Sequence, residues 1–136
     1  MPVAGGAVGM GCIGFPNHPV WEVTSRCNLN CRHCHVASSA RGVECDHETA
    51  LRTIAGLARV REFRMLVYTG GEPLVREDIF ELLAYSQKCG LTNVVASNAT
   101  LVDDEVARRL KRCGVEGLAV GLDSCFAAVH DAVRQD

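Results

Sequence analysis

Apolar and polar positions along this chain fall into short blocks, and the period of each block predicts an element. Val20-Trp21-Glu22-Val23-Thr24 reads as a short strand, followed by a polar, cysteine-rich loop from Ser25 to about Cys45. Asp46 then precedes Leu51, Ile54, Leu57 and Ala58, which fall on one helical face behind a good N-cap. Met65-Leu66-Val67-Tyr68-Thr69 is a buried-type strand that stops at Gly70-Gly71. Ile79, Leu82 and Leu83 mark a second helix that Gly90 closes. Asn93-Val94-Val95-Ala96-Ser97 is a third strand, and Asp103 opens a helix carrying Val106, Ala107 and Leu110 that ends at Gly114. Gly117 to Leu122 is read as a fourth strand and Phe126 to Val133 as a fourth helix.

Apolar strands alternating with helices predict an α/β fold, a parallel sheet of about four βα units joined by crossovers and covered by helices. In such sheets the working site collects at the carboxyl ends of the strands. The polar and glycine-rich clusters lie at those ends: the cysteine loop, Gly70-Gly71-Glu72-Pro73, Ser97-Asn98-Ala99-Thr100, and Asp123-Ser124. Residues 1–19 are glycine-rich, are punctuated by Pro16 and Pro19, and sustain no period. They are read as an extension, with one domain over 20–136.

Composition narrows the class. A chain of 136 residues is one ordinary domain. Fourteen Lys and Arg against 16 Asp and Glu leave a net charge of −2, so no basic footprint points to nucleic acid or an anionic membrane. Apolar residues at 48% and charged residues at 22% exclude a disordered chain. Eight cysteines are the exception to an average composition. The N-terminus has no basic n-region and is too glycine-broken for a signal or a span. A reducing, cytoplasmic setting is therefore expected, where clustered thiols bind metal or do redox chemistry.

Cys27, Cys31 and Cys34 are spaced C-x3-C-x2-C. A short loop of this kind wraps a compact iron–sulfur cube, and the lack of a fourth cysteine leaves one iron open to a small molecule. The alternative is a zinc knot completed by Cys45, His33, His35 or His47. Cys89 and Cys113 lie beside apolar helix faces and read as small hydrophobes. Cys12, Cys45 and Cys125 have no spaced partners, and Trp21 is expected to pack beside the first strand.

With its cysteine loop after the first strand and Gly-Gly-Glu-Pro after the second, the chain resembles the radical S-adenosylmethionine (SAM) enzymes from about Val20 to Arg134. The flanking Val23-Thr24-Ser25-Arg26 and Tyr68-Thr69 are most similar to the subgroup that matures peptides and modifies haem. The resemblance implies a partial (βα)6 TIM-like barrel, truncated after four units, with substrate elements beyond it. It implies that Cys27, Cys31 and Cys34 hold a [4Fe–4S] cluster whose open iron takes the amino and carboxylate groups of SAM. Reductive cleavage would then give a 5′-deoxyadenosyl radical that abstracts hydrogen from a peptide or tetrapyrrole-type substrate. Flavodoxin or ferredoxin would supply the electron.

Within that reading, Gly70 and Gly71 let backbone approach the methionine end of SAM, and Glu72 receives its amino group. Ser97, Asn98 and Asp123 face its ribose and methionine parts, and the backbone of His33 faces its adenine. The chain departs from the family twice. Gly121-Leu122-Asp123-Ser124 stands where relatives carry Ser-Leu-Asp-Gly, and Gln135 stands where a His-Asp-x-x-Arg-Gly turn has glycine. A zinc-binding interaction module and a remnant that no longer binds SAM are the competing functional readings. An unpaired fourth strand is further expected to make the 136-residue chain self-associate and turn over SAM poorly.

Overall fold

Four strands and four helices alternate in the computed structural model, which describes residues 18–34 and 44–135. Cys12, His35 and most of the N-terminal extension lie outside the described residues. The strands are β1 (Val20–Thr24), β2 (Met65–Gly70), β3 (Thr92–Ser97) and β4 (Val115–Val120). The helices are α1 (His47–Ala58), α2 (Ile79–Lys88), α3 (Asp104–Arg112) and α4 (Ala127–Arg134). All neighbouring strands pair in parallel in the order β1-β2-β3-β4, so the expected sheet of four βα units is the one observed. Among the described residues no helix is long and apolar enough to cross a membrane.

Local chemistry explains most of the boundaries. Asp46 accepts from the Thr49 amide at 2.7 Å and Asp103 from the Val106 amide at 2.8 Å, so α1 and α3 start where their N-caps satisfy free N–H groups. A one-turn 3-10 helix over Pro73–Val75, absent from the sequence reading, carries the chain from the β2 turn towards α2. The fourth strand begins two residues before the expected Gly117 and ends two residues before Leu122. Pairing decides this. Asn93 lies opposite Val115 and Ser97 opposite Val120, so Gly121 and Leu122 run past the last residue of β3 that could bond them.

The core lies between one sheet face and the helices. Val23, Leu66, Tyr68 and Val95 meet Ile54 of α1 and Ile79, Leu82 and Leu83 of α2, all within 1% of full burial. Each such side chain contributes roughly 1.5–3 kcal/mol relative to exposure. Trp21 packs by Tyr68, with ring centroids 6.1 Å apart. Cys89 and Cys113 pack against the core, as their helical positions suggested.

Helices were expected to cover the sheet, and burial in β3 alternates along the strand. Asn93, Val95 and Ser97 are buried, whereas Val94 and Ala96 on the opposite face are only partly covered. An open four-stranded sheet has no far wall to cover that second face, and the candidate site occupies it.

Candidate functional site

The cysteine loop is fastened to the end of β2 backbone to backbone. The Gly71 amide donates to the Thr24 carbonyl at 2.9 Å and the Glu72 amide to the Arg26 carbonyl at 2.8 Å. Glycine is required at both positions of this turn. A Cβ on Gly70, whose φ is +135°, would stand 2.1 Å from the Thr24 oxygen, and one on Gly71 would stand 2.2 Å from the Arg26 oxygen. The close approach for which the glycines make room is therefore first of all that of the cysteine loop itself.

Glu72 is fully buried. Its carboxylate accepts from the Leu74 amide at 3.0 Å, the Ser97 hydroxyl at 3.0 Å and the Asn98 amide at 2.8 Å. A buried carboxylate needs such partners, because an unpaired one would carry its full desolvation penalty. The side chain expected to meet an amino group is thus engaged from within, where it locks the β2 turn to the end of β3. Ser97 is also buried and accepts from the Ala99 amide at 2.9 Å.

Asn98 carries the connection on to the cysteine loop. Its amide nitrogen donates to Asn28 Oδ1 at 2.9 Å and lies 3.9 Å from Cys27 Sγ, while Asn28 donates to the Thr100 hydroxyl at 2.7 Å. Asn28 was not singled out in the sequence. Its position inside the C-x3-C spacing was the available signal.

Cys27, Cys31, Cys34 and Gly71 together line two adjoining cavities of about 570 and 440 Å³. Ser97, Asn98, Ala96 and Ala119 form the sheet side of the second. Among the described residues no three His, Cys, Asp or Glu side chains converge as ligands of a single metal ion. The three thiols are arrayed along a shared wall instead. An all-sulfur donor set on one short loop, facing a cavity with a side-chain-free turn, fits an iron–sulfur cluster. Burial pushes the Cys31 thiol up, and the thiols of Cys27 and Cys34 add to this, while the nearby Arg134 guanidinium opposes it.

The far side of the cavity is built by the end of β4 and by α4. The Arg32 amide donates to the Val133 carbonyl at 2.9 Å, and Asn30 donates to Gln135 Oε1 at 3.2 Å. Asp123 is held by Arg134 at 2.5 Å and lies 3.3 Å from His33 Nε2. The Arg134 hydrogen bond holds the Asp123 carboxyl below the usual carboxylate range despite a small opposing effect of burial. His33 is half-exposed, with its ring turned to Asp123. His47 and Cys45, weighed as a fourth zinc ligand, stand elsewhere. His47 pairs with Asp78 at 2.7 Å, and the Cys45 carbonyl accepts from buried Arg76 at 3.0 Å.

Comparison with known proteins agrees with this geometry. Residues 21–136 match the Radical SAM superfamily, and the chain belongs to it. It is 39% identical over 127 residues to an AdoMet-dependent heme synthase of Methanosarcina barkeri, covering 90% of this chain and 36% of the relative. It is 34% identical over 115 residues to a mycofactocin maturase of Mycobacterium tuberculosis, covering 84% and 29%. The chain thus spans about a third of the length of the curated relatives it matches. The fold resembles Streptococcus suis SuiB bound to S-adenosylmethionine, with a TM-score of 0.72 at 20% identity over 89% of this chain and 30% of that one.

Proposed function

We propose that this member of the radical SAM superfamily holds a [4Fe–4S] cluster on Cys27, Cys31 and Cys34 and binds SAM in the adjoining cavity. The observation that carries the reading is that these three thiols share two cavity walls with Gly71, the side-chain-free end of β2. When bound, such a cluster would supply the electron for reductive cleavage of SAM to open hydrogen-abstraction chemistry on the substrate.

The chain's own residues bind and position. Gly71 presents backbone to the methionine end of SAM. Glu72 fixes that turn to Ser97 and Asn98, so the polar end of β3 is held at a set distance from the cysteines. Asn98 and Asp123 offer polar groups to the ribose and methionine parts, and the His33 backbone offers contact to the adenine. Ala96 and Ala119 keep the sheet wall low enough to admit the cosubstrate. Relatives named as heme synthase and mycofactocin maturase support a tetrapyrrole-type or peptide substrate, bound by segments these 136 residues do not supply. A flavodoxin or ferredoxin is the proposed reductant.

Anaerobic reconstitution with iron and sulfide, followed by electron paramagnetic resonance of the reduced protein with and without SAM, tests the reading. A [4Fe–4S] signal that changes on adding SAM is the expected result. Zinc uptake without iron or sulfide would establish the zinc module instead, and a cluster signal indifferent to SAM would establish the remnant. Replacing Cys27, Cys31 or Cys34 by alanine should abolish the signal, whereas Cys89→Ala should leave the iron count unchanged.

A further inference from the structure

Of the two departures from the family pattern, Gly121 lies against the Arg134 guanidinium and Gln135 follows Arg134 in the chain. Arg134 sits at the last residue of α4 and is 13% exposed. Its Nε donates to Asp123 Oδ2 at 2.5 Å. Its guanidinium faces the cavity whose wall carries the Cys31 thiol. It lines the same cavity as the three cysteines. A Cβ placed on Gly121 would lie 2.4 Å from Arg134 Nη2, so any larger side chain there would take the space the guanidinium now fills.

The backbone around Arg134 is pinned to the cysteine loop on both sides. Val133 accepts from the Arg32 amide. Gln135 adopts φ +56°, a conformation glycine enters at less cost, and uses the side chain glycine lacks to accept from Asn30. Glycine at 121 and glutamine at 135 are thus two halves of one arrangement. One leaves room for the guanidinium that Asp123 holds in the cysteine cavity, and the other ties the end of α4 to the loop that carries Cys31.

We propose that Arg134, aimed by Asp123 across the gap left at Gly121, sets a positive charge in the cavity lined by the three cysteines and raises the reduction potential of the cluster held there. The inference rests on the cluster reading above. Reduction adds negative charge to a cluster, and hydrogen bonds and positive charge at its sulfurs favour that more negative state. Removing the guanidinium also leaves the Asp123 carboxylate without its strongest partner, which acts in the same direction.

The test is a redox titration of the reconstituted 136-residue protein, followed by electron paramagnetic resonance in the absence of SAM. Arg134→Gln and Gly121→Ser are compared with the unaltered chain, with iron and sulfide counted in each. Both variants are expected to keep the metal content and to move the midpoint to more negative potential. Arg134→Lys, which keeps the charge but loses the planar fork, should recover part of that shift. Unchanged midpoints at full iron content overturn the inference, as does a loss of SAM binding with the midpoint unmoved, which would make Arg134 a cosubstrate ligand. Should Arg134→Gln lose iron, Gly121→Ser decides alone, since it removes no side chain from the loop. If the unaltered chain forms no cluster, the functional reading falls first and this inference with it, a failure visible before any variant is made.

Discussion

The two halves of the sheet differ in what holds them. On the β1–β3 side, α2 buries Ile79, Leu82, Leu83 and Ser86, and β3 alternates buried and half-buried residues. On the β4–α4 side no residue of α4 is buried, and Leu118, Val120, Leu122, Phe126 and Val129 are exposed. The first half is held by apolar packing. The second is held at the site by polar threads: Arg32 to Val133, Asn30 to Gln135, and Arg134 to Asp123. The cysteine loop lies between them, with one wall set by a rigid core and the other by separate polar contacts at its surface.

Substitutions on the two sides should therefore have unequal consequences. Leu82→Ala is expected to cost about 2–5 kcal/mol in denaturant unfolding, because a side chain without exposure leaves a cavity. Val129→Ala, half-exposed on α4, should stay within about 0.5 kcal/mol. Equal costs would erase the contrast.

Glu72→Gln sharpens the point at the junction. The new amide must set a donor against either the Asn98 amide or the Leu74 amide. A loss of about 1–3 kcal/mol is expected, together with weaker SAM binding at unchanged iron. Unaltered stability with lost SAM affinity would instead make Glu72 a direct ligand. Asp46→Ala removes only the α1 cap and should cost about 0.5–2 kcal/mol without touching iron uptake.

The smallest effect on stability belongs to the exposed edge. Val120→Lys should barely move the unfolding midpoint yet reduce self-association of the 136-residue chain in light scattering. β4 pairs only with β3 among the described residues, and apart from Glu116 it is uncharged and carries no lysine or proline to guard its free side. A monodisperse monomer before the substitution would show that the edge is not sticky.

The pH dependence has a definite sign on the polar side. Asp123 titrates below the usual carboxylate range through its Arg134 hydrogen bond, so its contribution is present above the ordinary Asp value. It is lost as pH falls through the depressed value. The Arg32–Val133 contact, followed by amide exchange, should loosen in that acidic window, before the α2 amides of the packed half do.

Much of this was legible in the residues. Asp46 and Asp103 marked helix starts because an N-cap is a local event. The strands showed as apolar runs because burial selects their composition. The C-x3-C-x2-C spacing singled out three thiols that line one cavity because neighbours on a short loop stay together. Three things only the tertiary structure decided. Glu72, read as a cosubstrate contact, is buried because β2 and β3 are neighbours and their ends share one carboxylate. The fourth strand lies two residues early because pairing with β3, and no property of its own, sets its register. Gly121 and Gln135 meet Arg134 and Asn30 only because α4 folds back onto the cysteine loop. Composition and spacing report what a residue can do within a few positions of itself. What it does to a partner a hundred residues away depends on how the chain brings the two together.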